Sequence, residues 1–94
     1  MVERWRISDN TSLSWRAWDG DIVLYDSASG DVHRLEALAA ESFEILLATP
    51  ATLDDLADSV AASLEIERTR ELVDAIEGIV RQLHMSGLLE PVAA

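Results

Sequence analysis

Residues 13–36 decide the fold and read LSWRAWDGDIVLYDSASGDVHRLE. Apolar and polar residues alternate at the start of this stretch, which is typical of a strand with one buried face. The pair Asp19-Gly20 then predicts a tight turn, because both residue types tolerate a positive φ. Short connections predict an antiparallel meander of three strands, whose first and third strands are edges. The predicted strands are residues 13–18, 22–25 and 32–35.

Helical periodicity replaces this alternation after Glu36, a residue that caps a helix poorly. Pro50 ends the first predicted helix, Thr52 has a hydroxyl that can cap the second, and Gly87 ends the third. Three strands followed by three helices predict an α+β fold with a three-stranded antiparallel sheet. The predicted helices are residues 37–48, 52–64 and 67–85.

The length of 94 residues predicts one domain, over residues 13–91. Residues 1–12 are a polar segment with a short strand predicted around Trp5, and residues 92–94 are a tail.

Composition limits the location and the partners. The chain has no cysteine, its first residues have no apolar signal-peptide core, and it has no run long enough to cross a bilayer, so we expect a cytoplasmic protein. The formal net charge is −11, and the seven basic residues are arginines scattered along the sequence. Nucleic acid and membranes are therefore not expected partners. We expect a monomer or a weak homodimer.

The sequence offers no chemistry typical of an enzyme. His33 and His84 are its only histidines, neither has a second histidine three or four residues away, and there is no cysteine, so no metal site is predicted. The glycines are scattered and form no phosphate-binding loop, and no cofactor is expected. No serine lies in a nucleophile motif. We predict a protein that binds rather than catalyses.

Several motifs follow one another in an informative order: Arg34-Leu35 at the end of the third strand, Ala39-Ala40 in the first helix, TLDDLA in the second helix and a terminal SGLL. Together they resemble the PqqD family, small peptide chaperones of pyrroloquinoline-quinone biosynthesis that act as RiPP recognition elements. The resemblance covers roughly residues 13–91. The Trp-rich start and the SGDVH stretch resemble a subgroup encoded with HPr-kinase-related proteins.

This resemblance implies a winged-helix-like fold that is not enzymatic. A leader peptide would join the sheet beside the third strand, in the groove between that strand and the third helix. The chaperone would then present the peptide to a separate modifying enzyme. In the subgroup, an HPr-kinase-related protein is the implied partner.

The residues themselves allow such binding, because an edge strand has unpaired N–H and C=O groups that an extended peptide can satisfy. The third helix has a polar row beside apolar residues, which is either a border that contacts the peptide or an ordinary solvated face. The tryptophans likewise either pack inside or mark a partner surface. The predicted peptide-binding residues are Asp31, Val32, His33, Arg34, Leu35, Arg70, Val73, Asp74, Glu77, Val80 and Arg81.

Two other functions fit the size of the chain. A winged-helix DNA-binding regulator is the first, but its reading helix needs basic residues and the second helix here is acidic. A carrier protein modified at Ser59 is the second, but that serine lies inside a predicted helix rather than at its start.

Overall fold

The described residues, 3–9 and 12–92, form two three-stranded sheets and three helices in a computed structural model. This confirms the predicted α+β fold, in which a three-stranded antiparallel meander precedes three helices. The strands are β1 (Arg4–Ile7), β2 (Leu13–Trp18), β3 (Asp21–Asp26), β4 (Val32–Leu35), β5 (Ala51–Thr52) and β6 (Leu89–Val92). The helices are α1 (Ala37–Ala48), α2 (Leu53–Leu64) and α3 (Arg70–Met85).

The meander has the strand order β2-β3-β4, so both predicted edge strands are edges. Asp19 and Gly20 form the first turn with φ of 52° and 85°, the positive values that the Asp-Gly pair predicted. The register places Trp15 opposite Leu24 and Ala17 opposite Ile22. One face of the meander therefore packs on the helices, and the other face is exposed.

A second sheet, which the sequence analysis did not predict, joins the two ends of the described chain. β1 lies at its centre and pairs antiparallel with both β5 and β6. An ion pair between Arg6 and Glu90, 2.6 Å from N to O, adds a polar contact on top of the backbone pairing. The short strand predicted around Trp5 thus exists, but it pairs outside the meander.

Threonine hydroxyls fix where two of the helices begin. The Thr52 hydroxyl accepts a hydrogen bond from the N–H of Asp55 at 3.1 Å, which is the cap predicted for α2. The Thr69 hydroxyl accepts from the N–H of Leu72 at 3.1 Å in the same way. The prediction that α3 starts near residue 67 was therefore wrong by three residues, because Thr69 is its N-cap.

The first helix begins without such help. Glu36 makes no side-chain capping bond, as its residue type suggested, and Ala37 has a φ of 44°. A positive φ is strained for a residue with a Cβ. The chain therefore enters α1 through a strained corner directly after β4.

The core lies between the inner face of the meander and the three helices. Fully buried side chains come from the sheet (Ile22 and Leu24), from α1 (Phe43) and from α2 and α3 (Leu56 and Ile76). Each joins one apolar cluster that includes the last strand. Packing of this core fixes the position of α3 relative to the meander, and that position shapes the candidate site.

Candidate functional site

The free edge of β4 is the first component of the candidate site. β4 pairs with β3 on one side only. The N–H of Asp26 donates to the C=O of Asp31 at 2.9 Å, in register with the β3–β4 pairing. In an antiparallel pair of strands, every second residue directs its N–H and C=O toward the partner strand. Asp31 does so here, and the N–H and C=O of His33, two residues later, therefore also point toward β3. Those of Val32 and Arg34 point away from it, toward open space.

The ladder on the other side of β3 agrees with this assignment. The N–H of Ser27 donates to the C=O of Ser12 at 3.0 Å, in register with the β2–β3 pairing. Odd-numbered residues of β3 therefore bond to β2, and even-numbered ones bond to β4. The same alternation directs the backbone of Ala17 toward the free edge of β2.

A groove between β4 and α3 is the second component. It has a volume of about 320 Å³. Buried Leu35 and Leu83 and half-buried Ile79 make its floor apolar, while Gln82 of α3 and Ser86, the residue after that helix, add neutral polar groups. The remaining lining residues are Val32, His33, Arg34 and Ala39. An extended chain lying along β4 would have backbone partners on one side and an apolar floor beneath it.

Arg34 is the one charged residue that lines the groove, and its charge is already compensated. Its guanidinium lies 2.6 Å from the carboxylate of Asp21 and 3.3 Å from that of Glu36. The hydrogen bond to Asp21, with the charges of Asp21 and Glu36, raises the pKa of Arg34 above its ordinary value. The groove therefore presents little net positive charge to a ligand.

The structure brings together the strand half of the predicted site but not the helix half. Val32, His33, Arg34 and Leu35 line the groove, and Asp31 directly precedes them. Four of the predicted α3 residues instead line a depression of about 440 Å³ beside the start of α3, namely Arg70, Val73, Asp74 and Glu77. Glu77, Val80 and Arg81 line another depression, of about 360 Å³, together with Trp5 and His84.

The cause is the phase of α3. Its buried stripe is Leu72, Ile76, Val80 and Leu83. At 100° per residue, Glu77 and Arg81 lie on one flank of that stripe, and Ile79 and Gln82 lie on the other. Only the second flank faces β4. Contact between a peptide and the first flank stays a prediction, and the groove beside β4 does not supply it.

The sequence analysis missed Ile79, Gln82 and Ser86, although the sequence contains a signal for them. C-terminal to Glu71, one flank of α3 carries no charge, and its residues there include Ala75, Gly78, Ile79 and Gln82. The opposite flank carries charges of both signs. In a chain with 18 acidic residues, an uncharged helix flank is a reason to expect a contact there.

The tryptophans have separate roles. Trp5 is half-buried, with its ring against His84, and Trp15 packs edge-on against Phe43 at 6.1 Å. Trp18 is 70% exposed on the outer face of the meander. It lines a depression of about 410 Å³ with Val23 and Tyr25. Trp5 thus packs against the core, whereas Trp15, which is 47% exposed, and Trp18 both line the exposed depression.

Neither histidine lies in a group of ligands. Within residues 3–9 and 12–92, no three side chains of His, Asp, Glu or Cys are placed to hold a metal ion together. None of the helices in that part of the chain is long and apolar enough to cross a membrane.

Comparison with known proteins gives a likeness in fold. No model of a known protein family matches the chain, and no curated protein matches it. A solved structure of TbiB1 in complex with the TbiA(beta) leader peptide has a similar fold, with a TM-score of 0.75. The likeness covers 95% of this chain and 99% of that one at 21% sequence identity. The predicted α+β architecture of a three-stranded antiparallel sheet followed by three helices is therefore one that this solved structure shares.

Proposed function

We propose that this protein is a non-enzymatic chaperone that captures a precursor peptide by β-strand addition and presents it to a modifying enzyme. The observation that carries the proposal is the edge of β4, where the outward-pointing backbone groups of Val32 and Arg34 adjoin an apolar groove. An extended peptide satisfies such groups with its own backbone, and neighbouring side chains then select its sequence.

The expected binding free energy suits a chaperone that must later release its peptide. Backbone hydrogen bonds along a four-residue strand each contribute only about 1 kcal/mol net. A disordered peptide also loses chain entropy when it docks. We expect a dissociation constant on the order of micromolar, or about −8 kcal/mol. A peptide bound with that affinity can still dissociate readily.

The likeness to TbiB1 supports the peptide as the ligand. That protein was solved with a leader peptide, and its fold matches this chain over nearly its whole length. The resemblance of the sequence motifs to the PqqD family points to the same class of ligand.

We assign the helix side of the binding site to Ile79, Gln82 and Leu83, because they face β4 across the groove. The charged flank that includes Glu77 and Arg81 is the rival contact surface. It would be reached only by a peptide that crosses α3 or by a second binding partner.

The modifying enzyme is the less supported part of the proposal. It follows from the resemblance to PqqD proteins, and an HPr-kinase-related partner follows from the resemblance of the Trp-rich start and the SGDVH stretch to one subgroup. Purified candidate enzymes can be tested for peptide modification with and without this protein. A chaperone role requires faster modification in its presence.

The two rival functions gain nothing from the geometry. Arg68, the basic residue just before α3, pairs with Asp54 and Asp58 of α2 and is not available to phosphates. Ser59 lies near the middle of α2, whereas a carrier serine belongs at a helix start.

The test begins with selection of binders from a displayed library of random peptides. The strongest binder is then titrated into labelled protein, and amide chemical shifts locate its site. Shifts confined to β4 and to the Ile79–Gln82–Ser86 flank of α3 are the expected result. Shifts that leave β4 unchanged would contradict strand addition. A failure to select any extended peptide would contradict the proposed function as a whole.

A further inference from the structure

At the edge where the peptide is proposed to add, the outer face of the meander has an apolar patch beside the charged side chain of Arg34. Val32 is 65% exposed there, and its register partner Tyr25 on β3 is 44% exposed. Edge strands usually carry polar or charged side chains that discourage pairing. An exposed valine at this position leaves apolar surface that an added strand could cover.

The direction of the backbone determines which peptide residue would meet Val32. Its N–H and C=O point to the free edge, while its side chain points to the outer face. A peptide residue that pairs with Val32 therefore projects its own side chain onto that outer face, beside Val32 and in line with Tyr25. The next residue of the peptide projects to the opposite face, where Leu83 and Ile79 form the groove floor.

We infer that the peptide is recognised on both faces of the strand that it adds. One side chain enters the groove, and an adjacent side chain packs on the outer face against Val32, in line with the long side chain of Tyr25 on the next strand. The ligand class is thus an extended peptide with at least two consecutive apolar residues, the outward one β-branched or aromatic. A strand recognised by the groove alone would alternate apolar and polar residues instead. This inference rests on the proposed function.

The peptide is the occupant that fits this patch, because Val32 also lines the groove and joins the two surfaces. The rest of the exposed apolar face, around Val23 and Trp18, lies farther from the β4 edge, on β3 and β2. A residue in an added strand directly contacts β4, whereas β3 lies about 5 Å farther away, so on β3 a long side chain such as Tyr25 comes near and a short one such as Val23 does not. Contact with the peptide should therefore be strong at Val32 and weak at Val23.

The test uses Val32→Thr, which keeps the β-branched shape and strand preference but replaces a methyl group with a hydroxyl. Peptides selected against the wild type should contain the consecutive apolar pair. Against such a peptide, Val32→Thr should weaken binding about two- to five-fold, the range for one cross-strand pair. The effect should vanish when the outward peptide residue is replaced by serine. Val23→Thr, on the same face but one strand in, is the matched control and should leave affinity unchanged.

The outcomes separate this inference from the proposed function. If the selected peptides shift the β4 amides but Val32→Thr binds them as the wild type does, recognition on the outer face is excluded and strand addition stands. Equal losses in Val32→Thr and Val23→Thr would mean a general effect on the sheet and would also exclude it. If peptides bind without touching β4, strand addition fails and this inference fails with it, whereas a failure to select any extended peptide contradicts the proposed function as a whole.

Discussion

The indole ring of Trp5 meets the imidazole ring of His84 edge-on, with the ring centroids 5.1 Å apart and the planes at 78°. The contact joins β1 to the last turn of α3, on the flank of the helix that faces away from β4. β1 thus packs on the side of α3 opposite to the groove and stabilises the position of the helix that forms one wall of it.

Trp5→Ala should lower the free energy of unfolding by about 2 kcal/mol, less than the loss for a fully buried ring because Trp5 is half-buried. His84→Ala removes only the ring contact and should cost about 1 kcal/mol. Urea denaturation followed by circular dichroism measures both values. A Trp5→Ala protein as stable as the wild type would mean that β1 is not a structural support for α3.

Val32→Pro should weaken peptide binding about five-fold or more, because it removes one outward-facing N–H and the hydrogen bond of roughly 1 kcal/mol that this group would donate. The matched control is Ala17→Pro, which removes an outward N–H from the opposite edge of the same meander. It should leave the affinity unchanged. Calorimetry with a selected peptide measures both variants, and circular dichroism checks that each is folded. Equal loss in the two variants would contradict addition at β4.

Gln82→Ala should weaken peptide binding about two- to five-fold, because it removes a polar contact on the flank of α3 that faces β4. Arg81→Ala is the control from the next position of the helix. It removes only an exposed ion pair with Glu77 at 3.0 Å, which contributes little to stability. Fluorescence anisotropy with a labelled peptide compares the two. The reverse pattern would move the helix side of the site to the charged flank.

Ala37→Gly should raise the free energy of unfolding by about 0.5–1 kcal/mol. Relief of the strain at a φ of 44° outweighs the extra chain entropy that glycine has in the unfolded state. Ala75→Gly, at an exposed position inside α3, should instead lower it by about 1 kcal/mol. Parallel thermal and urea denaturation decides the signs. A destabilised Ala37→Gly variant would show that the corner before α1 is not strained.

Basic peptides should associate faster than acidic ones of the same apolar pattern, because the chain carries a formal net charge of −11 and the one cation in the groove is paired. The difference should shrink as salt rises, since screening shortens the reach of surface charges to about 10 Å at 0.1 M. Stopped-flow association rates at several salt concentrations test this. Rates that do not depend on peptide charge would contradict it.

The meander was predictable because its signals are local. The alternation over β2 and the turn at Asp19-Gly20 each involve neighbouring residues, and together they determined the strands, their order and both edges. The cap at Thr52 is local as well. The second sheet was not predictable in this way, because it pairs Arg6 with Glu90 at the opposite end of the chain and uses strands of two to four residues.

The candidate site was half predictable for a related reason. Periodicity identified the buried stripe of α3, but a stripe has two flanks and the pattern does not say which of them faces the meander. Tertiary packing decides that, and it placed Gln82 rather than Arg81 beside β4. The row of polar residues favoured the charged flank, which does not line the groove, and contact between that flank and a peptide stays a prediction. The absence of charge on the other flank after Glu71 is the signal that indicates the side facing β4.

The pairing of β1 with β6 sets Arg4 opposite Val92, so the chain enters and leaves the domain at one point. Such a domain can be inserted into a surface loop of a host protein without separating the two ends of that loop. Its own ends can also be joined by a short linker to give a cyclic chain. New ends opened in the exposed loop at residues 27–30 would then give a circular permutant in which β2 and β4 come from opposite ends of the chain. The meander would be split in sequence while its groove stayed whole in space.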